Sequence, residues 1–450
     1  MLQEAVAYYH ELLEDAELAE SSRAMLDAGL EEAKLIFGGR RLSPYLRPHF
    51  VTASDWERVT KICETVWGAI QKVNERAVAD ESLLAELGLT DIERELVAID
   101  PGYVAVSPTA RLDSFLTEDS YSFVELNGES PAGIAYADAA YEIFSALPVM
   151  RRFAERYPLR RFHGRPLLLE VLLRAYGEYL GREPGRKPSI AIVDLKGLPT
   201  MKEFELFREY FEGQGHPARV CSPDELNFAG GRLRAGDFEI DIVYKRLLVN
   251  EYLPIMREHP ALLDACRAGA VCMVNSFRSK LIHKKALFAV LTDERHAGLF
   301  TDEEREAVAR HVPWTRVVRD CKTTRGGTEI DLPDFIKRGR DRLVLKPNDD
   351  YGGHGIYIGW STDEAGWAEA LRHALADGDY IVQERVKTAR ETFPALTDDG
   401  RVEFAEQLVD LDPMLFYGKV GSGFTRLSYS ELANVSSGGG MVPTFIIEGA

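Results

Sequence analysis

The sequence predicts an α/β fold, in the broad sense that includes α+β, built from several structural units. Apolar residues recur at helical spacing from residue 1 to about 97, and strand-like and helix-like runs alternate from 189 to 275. Strand-like runs then dominate after residue 340. Strands that alternate with helices form a parallel sheet covered by helices. A chain of 450 residues is long enough for roughly two to four such units.

Composition indicates a soluble globular protein without a general affinity for nucleic acid or anionic membranes. The hydrophobic share is 45% and the charged share 28%, which is ordinary for a globular chain. There are 54 basic and 72 acidic side chains, for a net charge of −18. Nucleic acids and anionic membranes are bound through their phosphates by Lys and Arg, so we expect neither as a partner. An anionic ligand must therefore meet a local basic site.

The cysteines and the first residues predict a cytoplasmic protein. The five cysteines are scattered and lack the paired spacing of a zinc site or a disulfide framework, so we expect reduced thiols. The start of the chain lacks the basic and apolar regions of a signal peptide. No window approaches the roughly 20 apolar residues of a membrane helix. The oligomeric state is left open.

Residues 1–97 are predicted to form a helical N-terminal region. The segment "SDWERVTKICETVWGAIQKV" opens with a possible capping box, Ser54 and Glu57. Its apolar residues would share one helix face: Trp56, Val59, Cys63, Val66, Trp67, Ile70 and Val73.

Residues 98–186 are predicted to form a second unit, in which a strand ends in a polar turn and leads into a helix. Glu125 and Asn127 lie two positions apart on that strand, so their side chains point to the same face. A carboxylate and an amide oxygen side by side suit Mg²⁺. The alternative is that both merely satisfy the turn.

Residues 187–275 are predicted to form a separate α/β unit with a parallel sheet. Arg246 follows one of its strands in "VYKRLL" and either binds a substrate carboxylate or forms a surface ion pair. The last unit, residues 276–450, is predicted to begin with one helix over "KLIHKKALFAVLTDE" and to continue as strands.

The segment "VLKPNDDYGGHGIYIGW" is the strongest candidate for a phosphate-binding loop. A strand delivers Lys346, and Gly352, Gly353 and Gly355 follow, whose unobstructed N–H groups can close around phosphate oxygens. The loop matches neither a P-loop nor a dinucleotide-binding fingerprint. The alternative is a strand-end lysine that extends into water above a glycine-rich turn.

A second glycine-rich segment, "ANVSSGGGMVPTF", lies near the end of the chain. We interpret Ser437, Gly438 and Gly439 as part of a flexible loop over an acceptor amine. The alternative is a loose turn before the final strand.

Five motifs together resemble one enzyme family. In chain order they are "ARLD", "VELNGESPAG", "VLKPNDDYGGHG", "YIVQERV" and "NVSSGGGMVPTF". They resemble the circularly permuted ATP-grasp enzymes, specifically the glutathionylspermidine synthetase-like group, and more distantly eukaryotic glutathione synthetase. The permuted order is seen in the metal motif Glu-x-Asn, which precedes the lysine-bearing lid. The resemblance implies a circularly permuted ATP-grasp fold with a pre-ATP-grasp α/β unit and a helical N-terminal region.

The resemblance also implies roles for particular residues. The implied Mg²⁺ ligands are Asp113, Glu125 and Asn127, with Asp350 as a further candidate. Lys284 and Lys346 would contact the ATP phosphates, and Gln383, Glu384 and Val386 would form the hinge that reads adenine and ribose. Arg111 and Arg426 would face the transferred phosphate and the reacting carboxylate. Ser130, in the turn after the Glu-x-Asn strand, is assigned to the substrate together with Arg246 and the Ser437–Gly439 loop.

The function implied is an ATP-dependent carboxylate–amine ligase with ATP and Mg²⁺ as cofactors. A carboxylate reacts with an amine only after its oxygen becomes a good leaving group, which transfer of the γ-phosphoryl achieves. The acylphosphate must be kept from water, which gives a glycine-hinged lid its purpose. The partners are a small-molecule carboxylate donor and an amine acceptor. Two alternatives stay open: a phosphotransferase acting on a hydroxyl, and a nucleotide-binding protein without turnover.

Overall fold

The computed structural model describes residues 1–37, 39–350, 352–397, 401–431 and 439–449. The α-helices of these residues are α1 (Leu2–Leu12), α2 (Ala16–Glu32), α3 (Ala53–Val78), α4 (Glu81–Glu86), α5 (Asp91–Val97), α6 (Ile134–Ala146), α7 (Pro148–Ala154), α8 (Gly164–Leu180), α9 (Met201–Gly213), α10 (Val249–Tyr252), α11 (Ala261–Arg267), α12 (Lys280–His283), α13 (Ala286–Leu291), α14 (Asp302–His311), α15 (Leu332–Arg338) and α16 (Glu364–Asp377). None of these helices combines the length and the apolar character that crossing a bilayer requires.

The strands of the described residues are β1 (Ile36–Phe37), β2 (Arg40–Arg41), β3 (His49–Thr52), β4 (Thr109–Leu116), β5 (Tyr121–Asn127), β6 (Leu159–Arg160), β7 (Ile190–Val193), β8 (Ala218–Cys221), β9 (Leu226–Ala229), β10 (Arg232–Ala235), β11 (Phe238–Glu239), β12 (Ile242–Lys245), β13 (Cys272–Val274), β14 (Thr315–Val317), β15 (Lys322–Arg325), β16 (Thr328–Asp331), β17 (Leu343–Pro347), β18 (Tyr357–Ile358), β19 (Tyr380–Glu384), β20 (Ala389–Leu396), β21 (Val402–Phe416), β22 (Lys419–Ser428) and β23 (Gly440–Ile447).

A large central sheet carries most of the candidate site. Its strand order is β3-β23-β22-β21-β4-β5, with β20 added on β21 and β6 on β23. Neighbouring strands are antiparallel except β3 and β23, which are parallel. Helices α3 and α6 pack on this sheet, and one hydrophobic core runs from the N-terminal helices through it to α9.

The parallel sheet predicted within residues 187–275 is confirmed. Strands β7, β8, β12 and β13 pair in the order β13-β12-β7-β8, and every pair is parallel. Their residues are almost all buried, as expected for strands covered by helices on both faces. The carboxyl end of β12 lies beside the "GESPAG" turn that follows β5, where Ser130 Oγ donates to the Lys245 and Arg246 carbonyls.

A smaller antiparallel sheet faces the central one and presents Lys346. Its order is β14-β19-β17-β18, and α15 and α16 pack on it around the buried Trp367. Lys346 lies on β17 directly opposite Ile381 of β19. The prediction that a strand delivers this lysine is confirmed.

The N-terminal region is not purely helical. Its strand β3 pairs with β23 at the other end of the chain, with Phe50 opposite Phe445. The predicted apolar face of α3 is confirmed, because every residue named for it is buried. The capping box of Ser54 and Glu57 is wrong: α3 begins at Ala53, and the Thr52 side chain caps it by accepting a hydrogen bond from the Asp55 N–H.

The single helix predicted over residues 280–294 is also wrong, because the chain breaks at Lys284. Lys284 is extended, with φ −61° and ψ 128°, and separates α12 from α13. Asn348 supplies the reason: its carbonyl accepts from the Lys285 N–H, and its side-chain oxygen accepts from the Ala286 N–H at 2.8 Å. These bonds replace the helical ones, so the two consecutive lysines leave the backbone in different directions.

Gly359 tests the packing of the smaller sheet. A Cβ at this position would lie 1.9 Å from the Arg340 carbonyl oxygen and 2.7 Å from that of Leu343. We expect Gly359→Ala to lower the free energy of unfolding by about 3 kcal/mol, measured by urea denaturation, because backbone atoms must move.

Gly177 is the matched control. It lies inside α8, and a Cβ there would meet nothing within 4 Å. Gly177→Ala should raise the free energy of unfolding by roughly 0.5–1 kcal/mol. Equal stability of the two variants would contradict the close approach at Gly359.

Candidate active site

The register of β4 and β5 assembles the first part of the site. Asp113 lies directly opposite Glu125, and Arg111 lies directly opposite Asn127. Residues two apart on a strand share a face, so all four side chains reach the same side of the central sheet. The sequence interpretation treated these four residues as one constellation, and the hairpin of β4 and β5 brings them together.

Asp113 is buried, 2% exposed, and is the most heavily paired carboxylate in the site. It accepts hydrogen bonds from Arg111 Nε at 2.7 Å and Nη2 at 2.9 Å, and from Arg426 Nη2 at 2.6 Å. Asn127 Nδ2 adds bonds of 3.1 Å to both oxygens. Burial alone would raise the pKa of Asp113, but the two arginines outweigh it and hold the pKa well below its ordinary value.

Strand β21 contributes two carboxylates that the sequence interpretation missed. Asp410 and Asp412 lie on its inward face, and Arg426 of β22 contacts both, with Nε 2.9 Å from Asp412 Oδ2. Asp410 is directly opposite Arg426 in the register. Burial raises the pKa of Asp410 to about 6 and that of Asp412 well above its ordinary value. The sequence feature that could have revealed them is the alternation in "LVDLDPM", where two acids interrupt an apolar strand.

A first cleft lies between the central and the smaller sheet and holds about 770 Å³ of open space. Lys346 reaches into it and donates to Gln383 Oε1 at 2.8 Å and to the Val124 carbonyl at 3.1 Å. Burial lowers the pKa of Lys346 to about 8. The cleft is also lined by apolar side chains: Phe115, Val344, Ile356, Ile358, Trp360 and Val386.

The predicted hinge residues form one wall of this cleft. Gln383, Glu384 and Val386 all line it. Glu384 accepts a hydrogen bond from Arg325 Nε at 2.6 Å, which fixes its carboxylate at the rim. The structure therefore brings the hinge, Lys346 and the carboxylates of β4 and β5 around one space.

Lys285, rather than the predicted Lys284, faces the carboxylates. Lys285 Nζ lies 3.6 Å from Glu125 Oε2 and donates to the Asp350 carbonyl at 2.6 Å. Burial raises the pKa of Glu125, but the nearby cations, with Lys285 first, hold it below its ordinary value. Lys284 Nζ instead donates to Asp349 Oδ2 at 2.9 Å.

Lys284 belongs to a buried ionic junction behind the site. It lies 3.1 Å from Glu93, and Lys280 lies 2.6 Å from Asp349 and 3.0 Å from Glu129. Glu129 lies in the turn directly after the Glu-x-Asn strand β5. Burial would raise its pKa, but the nearby lysines hold the pKa at about 2. The junction thus ties the end of β17 to the turn after β5.

A second cleft, with about 1890 Å³ of open space, adjoins the first. Glu125 and Arg426 line both clefts, so the paired carboxylates and arginines form the wall between them. Apolar side chains such as Tyr136 and Phe424 line the second cleft beside Arg111.

The predicted substrate residues lie at this second cleft but are held by the protein itself. Ser130 Oγ donates to the carbonyls of Lys245 and Arg246 at 3.0 and 2.8 Å. Arg246 donates to the Pro131 carbonyl at 2.8 Å and lies 3.8 Å from Glu203. Both residues therefore hold the wall of the cleft in place.

The structure describes part of each of the two glycine-rich segments, the one after Lys346 and the one before β23. Gly352, Gly353 and Gly355 all have positive φ, near 72°, 82° and 66°, and Gly352 lines the second cleft. These angles explain the choice of glycine. Gly439 is buried directly before β23. Ser437 and Gly438 lie outside the described residues.

The donor set fits Mg²⁺. Asp113, Glu125 and Asn127 offer carboxylate and amide oxygens from facing positions of β4 and β5, and Mg²⁺ prefers a few such hard ligands together with phosphate oxygens and water. Oxygens of Asp113, Asp410 and Asp412 also lie within 4.8 Å of one another. Asp350 contacts Lys285 through its backbone carbonyl.

Comparison with known proteins identifies the fold. No family model and no curated protein sequence matches the chain. Among solved structures, a glutathione synthetase-like effector from Globodera pallida matches with a TM-score of 0.62 at 14% identity, over 95% of this chain and 96% of that one. A putative gamma-glutamylcysteine synthetase from Methylobacillus flagellatus matches more weakly, with a TM-score of 0.42 at 11% identity over 86% of each chain. The chain therefore has the fold of a glutathione synthetase-like protein over nearly its whole length.

Proposed function

We propose that the protein is an ATP-dependent carboxylate–amine ligase that forms an amide bond through an acylphosphate. The observation that carries the proposal is the wall shared by the two clefts, in which Glu125 and Arg426 face both spaces. A group transferred from a nucleotide in the first cleft to a substrate in the second would pass this wall.

The first cleft suits ATP. Its apolar lining and the Gln383–Val386 hinge would take the base, and the Glu384 carboxylate at the rim would accept from a ribose hydroxyl. Lys346 lines this cleft, and Lys285 lies 3.6 Å from Glu125 in its wall, so both would neutralise phosphate charge. Mg²⁺ held by Asp113, Glu125 and Asn127 would add charge neutralisation during phosphoryl transfer.

The second cleft suits the acyl donor and the amine. Arg111 and Arg426 would hold the reacting carboxylate beside the γ-phosphate and stabilise the charge that develops there. Transfer breaks the bond between the β–γ bridging oxygen and the γ-phosphorus and leaves ADP. The amine then forms the C–N bond as inorganic phosphate departs. The net charge of −18 would attract a cationic amine.

We also propose the finer family assignment. The Glu-x-Asn motif of β5 precedes Lys346 of β17 in the chain, which supports a circularly permuted ATP-grasp arrangement of the glutathionylspermidine synthetase-like type. The fold likeness to a glutathione synthetase-like effector supports the same assignment. The unit boundaries at 97/98, 186/187 and 275/276 and the cytoplasmic location remain predictions.

Mg-ATP should stabilise the protein more than ATP with EDTA. A ligand at a hundredfold excess over its Kd adds about 2.7 kcal/mol to the free energy of unfolding. We expect a rise in melting temperature with Mg-ATP and a much smaller one with EDTA. Glu125→Gln should remove most of the difference while folding normally. An equal shift with and without the metal would contradict the Mg²⁺ assignment.

The affinity for Mg-ATP should fall as the pH rises above 8. Burial lowers the pKa of Lys346 to about 8, and only its protonated form attracts phosphate. Affinity measured by calorimetry should be nearly constant between about pH 7 and 8 and should fall by up to about tenfold per pH unit above it. Lys346→Arg should show no such fall up to about pH 9, because a guanidinium stays charged. The same slope in both proteins would exclude Lys346 as the cause.

Turnover should require both a carboxylate donor and a nucleophile. We expect ADP release with a pool of amino acids, γ-glutamyl peptides and polyamines, and mass spectrometry should reveal an amide product. Hydroxylamine in place of the amine should yield a hydroxamate. ADP formed together with a phosphorylated acceptor would favour a phosphotransferase, and Mg-ATP binding without ADP release would favour a protein without turnover.

Arg426→Lys should lower hydroxamate formation at least about tenfold while the thermal shift with Mg-ATP is retained, because an interaction made in the transition state affects turnover more than binding. Arg426→Ala is unsuitable, since it would remove the cation that contacts three buried carboxylates, Asp113, Asp410 and Asp412, at a cost of about 3–5 kcal/mol. Arg310→Lys, on the exposed face of α14, is the matched control. Equal losses in both variants would contradict the role of Arg426.

A further inference from the structure

His283 is a buried histidine at the wall of the second cleft. It is the last residue of α12, is 6% exposed, and lines this cleft together with Glu125 and Asn127. Its Nδ1 makes no hydrogen bond within the part of the chain that the structure describes. Among the described residues that line the two clefts it is the sole histidine.

Charged groups of both signs surround the ring. A ring nitrogen of His283 and carboxylate oxygens of Glu129 and Asp349 all lie within 4.8 Å of one another. The positive charges of Lys280 and Lys285 are also close enough to lower the pKa of the ring. Burial, the largest effect, lowers the pKa of His283, so the ring is neutral near pH 7 and able to take a proton. The two carboxylates would stabilise the imidazolium once it forms.

The proposed reaction needs such a group. An aliphatic amine is protonated near neutral pH and has no free lone pair, so it must lose a proton before it attacks a carbonyl carbon. The cations identified above, Arg111, Arg426, Lys285 and Lys346, would neutralise phosphate and carboxylate charge. None of them is suited to accept a proton while doing so.

We propose that His283 is the general base that deprotonates the attacking amine. This rests on the proposed ligase function. The ring takes one proton from the ammonium group, and the freed lone pair forms the C–N bond to the acyl carbon. The C–O bond to the phosphate breaks with its electron pair, and the departing phosphate takes the second proton of the attacking nitrogen and leaves as hydrogen phosphate. The ring returns its proton to solvent when the amide departs.

The test compares two nucleophiles. Hydroxylamine is largely unprotonated at neutral pH and needs no base, whereas amino acids and polyamines do. The carboxylate donors in both arms are pooled amino acids and γ-glutamyl peptides. With amino acids and polyamines as acceptors, His283→Gln should lower ADP release at least tenfold. Hydroxamate formation with hydroxylamine should stay within about twofold of the unsubstituted protein. His163→Gln, an exposed histidine before α8 whose side chain forms no cap bond, is the control and should affect neither.

The possible results separate the explanations. Equal losses with both nucleophiles mean that His283 is structural, and no loss with either means that it is not the base; each overturns the inference. Asp194 is a buried acid that lines the same cleft. If Asp194→Asn, and not His283→Gln, lowers ADP release with amino acids and polyamines while hydroxamate formation is retained, the role belongs to Asp194 and the inference is wrong. If the unsubstituted protein forms neither amide nor hydroxamate, the ligase proposal fails and this inference fails with it.

Discussion

The candidate site depends on the pairing of Asp113 with Arg111 and Arg426. All three are nearly inaccessible to solvent, and a buried ion is tolerated only when it is paired and hydrogen-bonded. The pairing holds only if β4, β21 and β22 keep their register, because Arg111 and Asp113 come from β4, Arg426 comes from β22, and β21 lies between these strands. A shift of one residue would turn every one of these side chains to the opposite face. The charges therefore fix the alignment of the sheet, and the sheet fixes the position of the charges.

A second ionic contact joins this sheet to the other units. Lys280 bridges Glu129, next to the Glu-x-Asn strand, and Asp349, after the lysine-bearing strand. Lys245, at the end of a strand of the parallel sheet, lies 3.5 Å from the same Glu129. Three sheets thus share one buried junction of a few charged side chains. The clefts open beside this junction, so its geometry sets how far apart the two proposed substrates are held.

Local sequence patterns predicted those features that depend on neighbours along the chain. The strand position of Lys346, the common face of Glu125 and Asn127, and the parallel sheet of alternating strands and helices are all read within a few residues. They agree with the structure because nothing distant opposes the local preference. The order of the motifs added the expectation of the fold, and the likeness to a glutathione synthetase-like effector supports it.

Features set by distant partners were missed. Asp410 and Asp412 read as ordinary strand residues until Arg426 is placed beside them by cross-strand pairing. "HKK" reads as continuous helix, and only Asn348, more than sixty residues away, ends it at Lys284. Lys284 was assigned from the family resemblance alone, and the break turns Lys285 toward the carboxylates instead. A hydrogen bond from a residue so far along the chain leaves no trace in helical periodicity, so the break could not be read from the pattern.

The pairing of β3 with β23 has a consequence for how the chain folds. These strands stand near the two ends of the sequence, yet they are neighbours in the sheet that carries the site. Contacts of such high sequence separation slow folding, because the entropy of closing the chain is lost before the contact forms. During synthesis β3 must wait for its partner until β23 has been made. The sheet that carries the site is thus completed only once β23 has been made, and until then β3 has an open edge that chaperones or other chains can reach.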